Sequence, residues 1–420
     1  FRFRIKKKKN KILIPDPDPS SNKKNSPFQM SGDGGVEMTG RRGLSAAPTE
    51  DEDLVGEILV RLSPLPSSLP RASVSKLWKR IATAPGFHRR FLAHHRKPPI
   101  LGIFEKCGGE LVFTSVLDPP DRIPRERFSL RLGREKLYEA FDSWNLLGCR
   151  HGRVLITSSY EPVLLVFDAI SGDRHYVSAP PDLSHCMCNV RGAVLCCADD
   201  QDHVHGDCHS SPFKVVLVGT RSHEEPAMAW VYSSETEIWG HPVSTAEPCT
   251  SRVSRFPCTL IGSALYWWLN ESQDGMLEFD LDNHRLAVVK KPTFAGIGSN
   301  CIRIIRAEGG GVGMAVLSYP NFQLWDRKVS SDGVSTWVVQ KTVNMHEIIG
   351  LPSGVETRNE GIVGYSEEAD AVFISVSSNK KHHAFIVHLE SMHSRKLNQR
   401  FLEHSYHPFA NFYTPGTVEA

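Results

Sequence analysis

VLLVFDAISGDRHYVS, residues 163–178, carries the pattern on which the fold turns. Val163 to Phe167 is an apolar run of strand length, closed by the acidic Asp168. Ser171-Gly172-Asp173 supplies turn chemistry, because glycine accepts a left-handed backbone and Ser and Asp side chains bond to nearby amides. A second strand returns over Arg174–Ser178. The same grammar, an apolar strand ending in an aromatic and often an acid, recurs at Trp230–Tyr232, Phe279-Asp280, Trp325-Asp326 and Phe385–Leu389. Separations of roughly 45 to 65 residues fit the blades of a β-propeller with variable loops.

Short apolar runs fill the chain from Pro98-Pro99 onward. RVLITS, AVLCCA, FKVVLVGT, AWVYSS, ALYWWL, MLEFDL, RLAVVK, GMAVLS, FQLWDRKV, TWVVQKTV, AVFISVSS and FIVHLE all read as strands. Asp282-Asn283-His284, Ser331-Asp332-Gly333 and Ser378-Asn379-Lys380 read as the turns between them. Only RLGREKLYEAF, residues 131–141, suggests a helix here. A single β-sandwich is the alternative, but some 300 residues is large for one core. A propeller stacks sheets radially and leaves only short edges, so the expectation is an imperfect propeller.

The N-terminal pattern is different. Asp51, Glu52 and Asp53 put negative charge where a helix begins, and Leu54, Val55, Ile58, Leu59 and Leu62 recur at helical spacing. Ser63-Pro64-Leu65-Pro66 stops that helix. A second is predicted from about Pro70, with Val74, Leu77, Trp78 and Ile81 on one face, ended by Pro85-Gly86. FHRRFLAHH offers a third. The fold class is therefore α+β and multidomain: a small three-helix module over 45–97, then a large all-β domain over 98–416, with a short tail at 417–420. Residues 1–44 open with a basic run (Arg2, Arg4, Lys6–Lys9, Lys11) and turn polar without periodicity. Such composition buries no core and is expected to be disordered; it is read either as an import or nucleic-acid tail or as translated sequence upstream of Met30 or Met38.

Composition narrows the function. With 49 basic and 47 acidic residues, the formal charge of +2 creates no field that steers toward nucleic acid. No stretch approaches the roughly 18 to 20 apolar residues of a membrane helix, so neither nucleic acid nor membrane is an expected partner. The ten cysteines lie in a chain too long for a disulfide scaffold, and the lysine-rich start lacks the apolar core of a secretory signal. A reducing compartment, cytoplasmic or nuclear, is expected.

Four clusters invite chemistry. His185, Cys186, Cys188, Cys196, Cys197, His203, His205, Cys208 and His209 are zinc-type donors, but Cys186-x-Cys188 and adjacent Cys196-Cys197 lack paired C-x₂-C spacing. They are read as buried thiols and a polar loop, with no metal or other cofactor expected. Asp199, Asp200, Asp202 and Asp207 lack the ligand order of an EF-hand and read as a solvated loop. Gly309–Gly313 has no P-loop Lys-Ser/Thr and reads as a hairpin connection. His346-Glu347 has no second His after it, and no G-x-S-x-G elbow occurs, so an enzyme is not expected. Trp230, Trp239, Trp267, Trp268, Trp325 and Trp337 read as core, although Trp267 and Trp268 must face opposite ways in a strand.

EDLVGEILVRLSPLPSSLPRASVSKLWKRIATAPGF, residues 52–87, resembles the F-box in its acidic start, Ile-Leu-x-Arg-Leu core, proline-bearing loop and Lys-x-Trp helix. Pro48-Thr49-Glu50 stands where Leu-Pro is usual, and Val74-Ser75-Lys76-Leu77-Trp78 where Val-Cys-Lys-x-Trp is usual. The β-rich half, through CRHGRVLI, LLVFDAISGDRHYVSAPP, HGDCHSSPFKVVLVGT and LEFDLDNHRLAVV, looks like the F-box-associated β domain of grass F-box proteins. The resemblance implies a substrate-recognition subunit of a Skp–cullin–F-box ubiquitin ligase. It implies that Leu54, Ile58, Leu59, Leu65, Val74, Lys76 and Trp78 form the core or face a Skp-family adaptor, which links to a cullin. The β domain would then hold an unnamed target protein. The alternatives are a stand-alone binding module without ligase coupling, kept open because Arg71-Ala72-Ser73 sits one residue closer to Trp78 than in the F-box pattern and so shortens the second helix, and a zinc-dependent or loop-built propeller enzyme.

Overall fold

The computed structural model describes residues 51–413 apart from 74, 108–109, 133–143, 159–160, 184–189, 199–202, 206–207, 209–210, 221–224, 250, 271–274, 293, 295–296, 333, 351–356, 379–380 and 399–405. The expectations for 1–44 and for the tail at 417–420 lie outside them, as does most of the helix expected over 131–141, whose first residue, Arg131, ends a strand.

Six antiparallel sheets form a six-bladed propeller. Blade one holds β1 (Ile100–Cys107), β2 (Glu110–Ser115) and β3 (Leu130–Arg131). Blade two is β4 (Trp144–Arg150), β5 (Arg153–Ser158), β6 (Val163–Asp168) and β7 (Arg174–Ser178). Blade three is β8 (Val190–Cys196), β9 (Phe213–Gly219), β10 (Pro226–Ser233), β11 (Ile238–Trp239) and β12 (Val243–Pro248). Blade four is β13 (Thr259–Ile261), β14 (Ala264–Trp268), β15 (Met276–Asp280) and β16 (Arg285–Val289). Blade five is β17 (Ile302–Arg306), β18 (Val312–Ser318), β19 (Asn321–Val329) and β20 (Ser335–Asn344). Blade six is β21 (Thr357–Ser366), β22 (Ala371–Ser378), β23 (Lys381–His388) and β24 (Ser394–Leu397). The last strand, β25 (His407–Ala410), returns to pair with β1 and completes blade one.

The recurring aromatic-acid signature marks one place: β6, β10, β15, β19 and β23 are each third in their blade. Two of the turns that follow share their chemistry. Asp168 Oδ1 accepts from the Ile170 and Ser171 amides at 3.0 Å, and Asp280 Oδ1 from the Asp282 and Asn283 amides at 3.0 Å. Each turn also carries a left-handed residue, Gly172 (φ 84°) or His284 (φ 49°). The carboxylate holds the corner, and the left-handed residue reverses the chain into the fourth strand.

Middle strands are largely apolar and buried because a blade is covered on both faces. β5 and β14 are buried at every residue. Alternate residues enter opposite seams: Val154 joins Phe104, Phe113 and Phe167 between blades one and two, while Leu155 joins Leu217 and Trp230 between two and three. Val218, Trp267 and Phe279 fill the seam from three to four, and Tyr266, Trp268 and Met314 that from four to five. Leu317 and Phe322 meet Val372 and Ile374 between five and six, and Phe373 and Ile386 meet Ile103 between six and one. Trp267 and Trp268 thus do face opposite ways, each into its own seam. Outer strands add polar ties across seams, with Trp239 Nε1 donating to Ser178 O at 2.8 Å and Trp337 Nε1 to Lys290 O at 3.1 Å.

Closure is made by β25, whose Phe409 pairs with Gly102 and His407 with Phe104. Only glycine fits at 102: a Cβ there would lie 2.4 Å from the Phe113 ring and 2.5 Å from Thr114 O. Pro408, which has no amide to give, sits on the innermost edge where none is required.

The N-terminal module has four helices where three were predicted: α1 (Glu52–Val60), α2 (Ser68–Ala72), α3 (Lys76–Ala82) and α4 (Pro85–His95). The predicted second helix breaks after Ala72. Ser73 Oγ turns back to Leu69 O at 2.8 Å, and Ser75 Oγ accepts the Trp78 amide at 3.2 Å as an N-cap. Both serines compete for backbone groups that a continuous helix would use. Pro85 opens α4 where it was expected to end a helix, since the first turn leaves its missing amide without cost. A fifth helix, α5 (Met345–Ile349), joins blades five and six and was not foreseen. The helical core of Val55, Leu59, Leu69, Phe87, Phe91 and Leu92 takes in Phe412, just beyond β25, whose ring meets Phe91 edge-on at 6.3 Å. Helices and blades lie in one compact unit, Ala47–Ala420.

His407 makes the closure acid-sensitive. It is 4% exposed, its Nδ1 has no hydrogen-bond partner among the described residues, and burial pushes its pKa down to about 3. The neutral ring is therefore favoured in the fold, and stability present above pH 6.5 is lost as pH falls toward 3. The expected slope from this residue is about 1.4 kcal/mol per pH unit between those limits. Urea unfolding of wild type and His407→Phe from pH 7 to pH 4 checks this; the variant should lose less stability, and parallel curves would refute it.

Candidate functional site

Asp51 caps α1, accepting the Asp53 and Leu54 amides at 3.0 and 3.2 Å, and so fixes the helix's rotation. Val55, Leu59 and Val60 then point into the module, while Leu54 and Ile58, one turn apart, remain 42% exposed each. Ion pairs hold this face in register: Arg80 with Glu52, Arg90 with Glu57, and Arg61 with Glu57 at 2.8 Å. All are solvent-exposed and contribute geometry more than stability. Of the other adaptor candidates, Leu65 and Trp78 are half-buried and Lys76 is exposed. Val74 lies outside the described residues. Leu59 is fully buried, so it supports the face from below and offers no surface of its own.

The second site is the propeller axis. Arg150 on β4 binds Glu367 through Nε at 2.9 Å and Nη2 at 2.5 Å. Glu367 Oε1 also accepts the Leu260 amide of β13 at 2.7 Å, and Glu367 O accepts from Arg306 Nη2 of β17 at 2.8 Å. One residue of blade six thereby ties blades two, four and five. The Glu367 carboxylate holds the Arg150 guanidinium charged against the pull of burial. Burial and neighbouring Glu367 push the Glu368 carboxyl up. The space left is about 20 Å³, room for water and not for a substrate. A larger groove of about 510 Å³ opens between blades two and three, lined by Arg153, Asp168, Asp173, His175, Phe213 and Glu235. Its volume is of ligand or peptide-side-chain size.

The third site is the Cys/His cluster after β8. Cys196 Sγ lies 3.4 Å from His203 Nε2, which lies 3.3 Å from Cys208 Sγ; that sulfur is 3.6 Å from His205 Nδ1. The four donor atoms all fall within 4.8 Å of one another. The hydrogen bond from Cys208, with help from His205 and His203, pushes the Cys196 thiol down to about 3. Linear spacing argued against convergence because three donors sit on a loop, where strand alternation does not apply. Cys197 points elsewhere, to Leu195 O. His185, Cys186, Cys188, His209 and the four aspartates of 199–207 lie outside the described residues. Gly309–Gly311 turns between β17 and β18, the hairpin connection expected of it.

A family model described as F-box protein AT5G49610-like, beta-propeller, matches residues 145–416. The chain belongs to that family. It is thus an F-box-type protein with a propeller domain, and the match begins after the helices and β1–β3 of blade one and takes in β25. No curated protein matches. Solved structures show distant likeness. The extracellular domain of a putative hybrid two-component system from B. thetaiotaomicron has a TM-score of 0.32 at 10% identity, over 75% of this chain and 36% of that one. TolB from Acinetobacter baumannii has 0.38 at 10%, over 79% and 72%, and Chaetomium thermophilum Raptor 0.40 at 14%, over 84% and 32%. The chain thus spans about a third of the first and last, and scores this low carry no functional weight.

The axial hub sets an expectation for this F-box-type chain. Glu367→Ala leaves the Arg150 guanidinium buried without its counter-ion and should lower unfolding free energy by about 3 kcal/mol or more. Arg150→Met with Glu367→Leu should recover part of that loss. Urea midpoints of the three proteins check it; an Ala variant as stable as wild type would show the pair contributes nothing.

Proposed function

We propose that the chain is the substrate-recognition subunit of a Skp–cullin–F-box ubiquitin ligase. Its helical module docks a Skp-family adaptor, and through it a cullin, while its propeller holds a target protein. The observation that carries this reading is the pair Leu54 and Ile58, left outward on α1 while the opposite face of that helix is spent on the module's own core. A small apolar pair on α1, beside the exposed ion pair of Glu52 with Arg80, has the form of a hot spot with a charged surround. Family membership through the propeller supports it further. The blade two–three groove, with three carboxylates and an arginine, is the candidate seat for the target, and a basic segment of that target suits its charge.

In this reading the chain does no bond chemistry. It raises the effective concentration of target at a conjugating enzyme that the cullin brings. A reducing compartment, cytoplasm or nucleus, is the setting in which this reading places the chain.

Co-purification of the full chain with a Skp-family adaptor tests the proposal. Leu54→Asp and Ile58→Asp should each abolish the complex while leaving circular dichroism unchanged, because neither side chain is buried. Leu59→Asp should instead unfold the module. A folded wild type that fails to bind would favour the stand-alone binding module.

A further inference from the structure

We infer that Cys196, His203, His205 and Cys208 form a tetrahedral zinc site that staples the loop after β8 to the helical module. Two thiolates and two imidazoles are a donor set of the closed, structural kind, and hard cations that need oxygen ligands find none in it. The geometry agrees. With Zn–S near 2.3 Å and Zn–N near 2.0–2.1 Å, a tetrahedral ion sets its S···N edges at about 3.6 Å. Three of the four S···N separations are 3.4, 3.3 and 3.6 Å, and every pair of donor atoms lies within 4.8 Å, so modest side-chain shifts admit the ion.

The surroundings hold these donors in place. The His151 ring stacks on His205 at 3.6 Å with planes 8° apart, and His151 Nδ1 accepts the Cys196 amide at 3.3 Å. Buried Arg153 donates to the Cys208 carbonyl and, at 2.6 Å, to that of Ser211, clamping the backbone at and just after the last ligand. Bound to zinc, the two thiolates neutralise the ion, so a partly buried site carries no net charge.

The loop has a structural task. Val204, between the two histidine ligands, packs against the helical core that contains Phe91 and Phe412. Ligation on both sides of Val204 fixes the loop and with it the seat of the helices on blade three. This holds whether or not the helices bind an adaptor.

The test uses the reduced full-length chain, dialysed against a weak chelator and assayed for metal. About one zinc per chain is expected, and Cys196→Ser and Cys208→Ser should each weaken retention at least about tenfold. Cys197→Ser, adjacent but outside the set, should retain it. Cobalt(II) replacing zinc in the wild type should show the visible bands of a four-coordinate ion and thiolate charge transfer, which requires no variant to fold. Absence of both zinc and the cobalt spectrum in folded, reduced protein would overturn the site. A Cys196–Cys208 disulfide trapped from intact cells would do the same. Removing zinc should also speed amide exchange in α1 and α4 but not in β14 or β22; unchanged helices would overturn the staple.

Discussion

A propeller is a ring, and it holds only if its last strand finds its first blade. Here that contact is four residues long, β25 against β1. The segment does more than close a sheet. Phe409 enters the seam between blades one and two, and Phe412, three residues on, completes the helical core. Asn411 between them is fully buried, its amide donating to Pro99 O at 3.2 Å where the helical module joins β1. Ring, first seam and helices therefore share one stretch of chain, and each depends on the others being formed.

The closed ring then makes its interior costly. Arg150, Arg303 and His407 are buried near the axis, and none would be tolerated in an apolar core without partners or a neutral form. Arg150 is answered by Glu367, His407 by loss of its proton, and Arg303 by the face of Phe256, 3.3 Å away. A charged axis with little free volume favours one arrangement of blades over slipped alternatives, while recognition is left to the rim and the helices.

The second and third strands of blades two to six were legible because both faces are covered, which makes them largely apolar runs, whereas β1 and β2 of blade one were not picked out. Of the innermost strands only β8 was read, through AVLCCA. β4, β13, β17, β21 and β25 line the axis and carry Arg150, Thr259, Arg303, Glu360 and His407, so they read as interrupted or polar. The closing strand was invisible for a further reason: HPFA has no local signal that it pairs with residues some three hundred positions earlier. The α1 face was read from periodicity, but not which of its leucines faces outward, because Leu54 and Leu59 are equally apolar. The Cys/His convergence was missed because a loop's path is set by contacts such as Val204 on the helical core, which spacing does not encode.

The account rests on the C-terminal segment acting as the keystone of both ring and helical module. Native-state hydrogen exchange of the full chain tests this most directly. The amides that join β1 and β25 should exchange only with the slowest class, alongside β14, because opening them opens the ring. Exchange of β25 in a fast, local step, with the seams and α4 still protected, would contradict it.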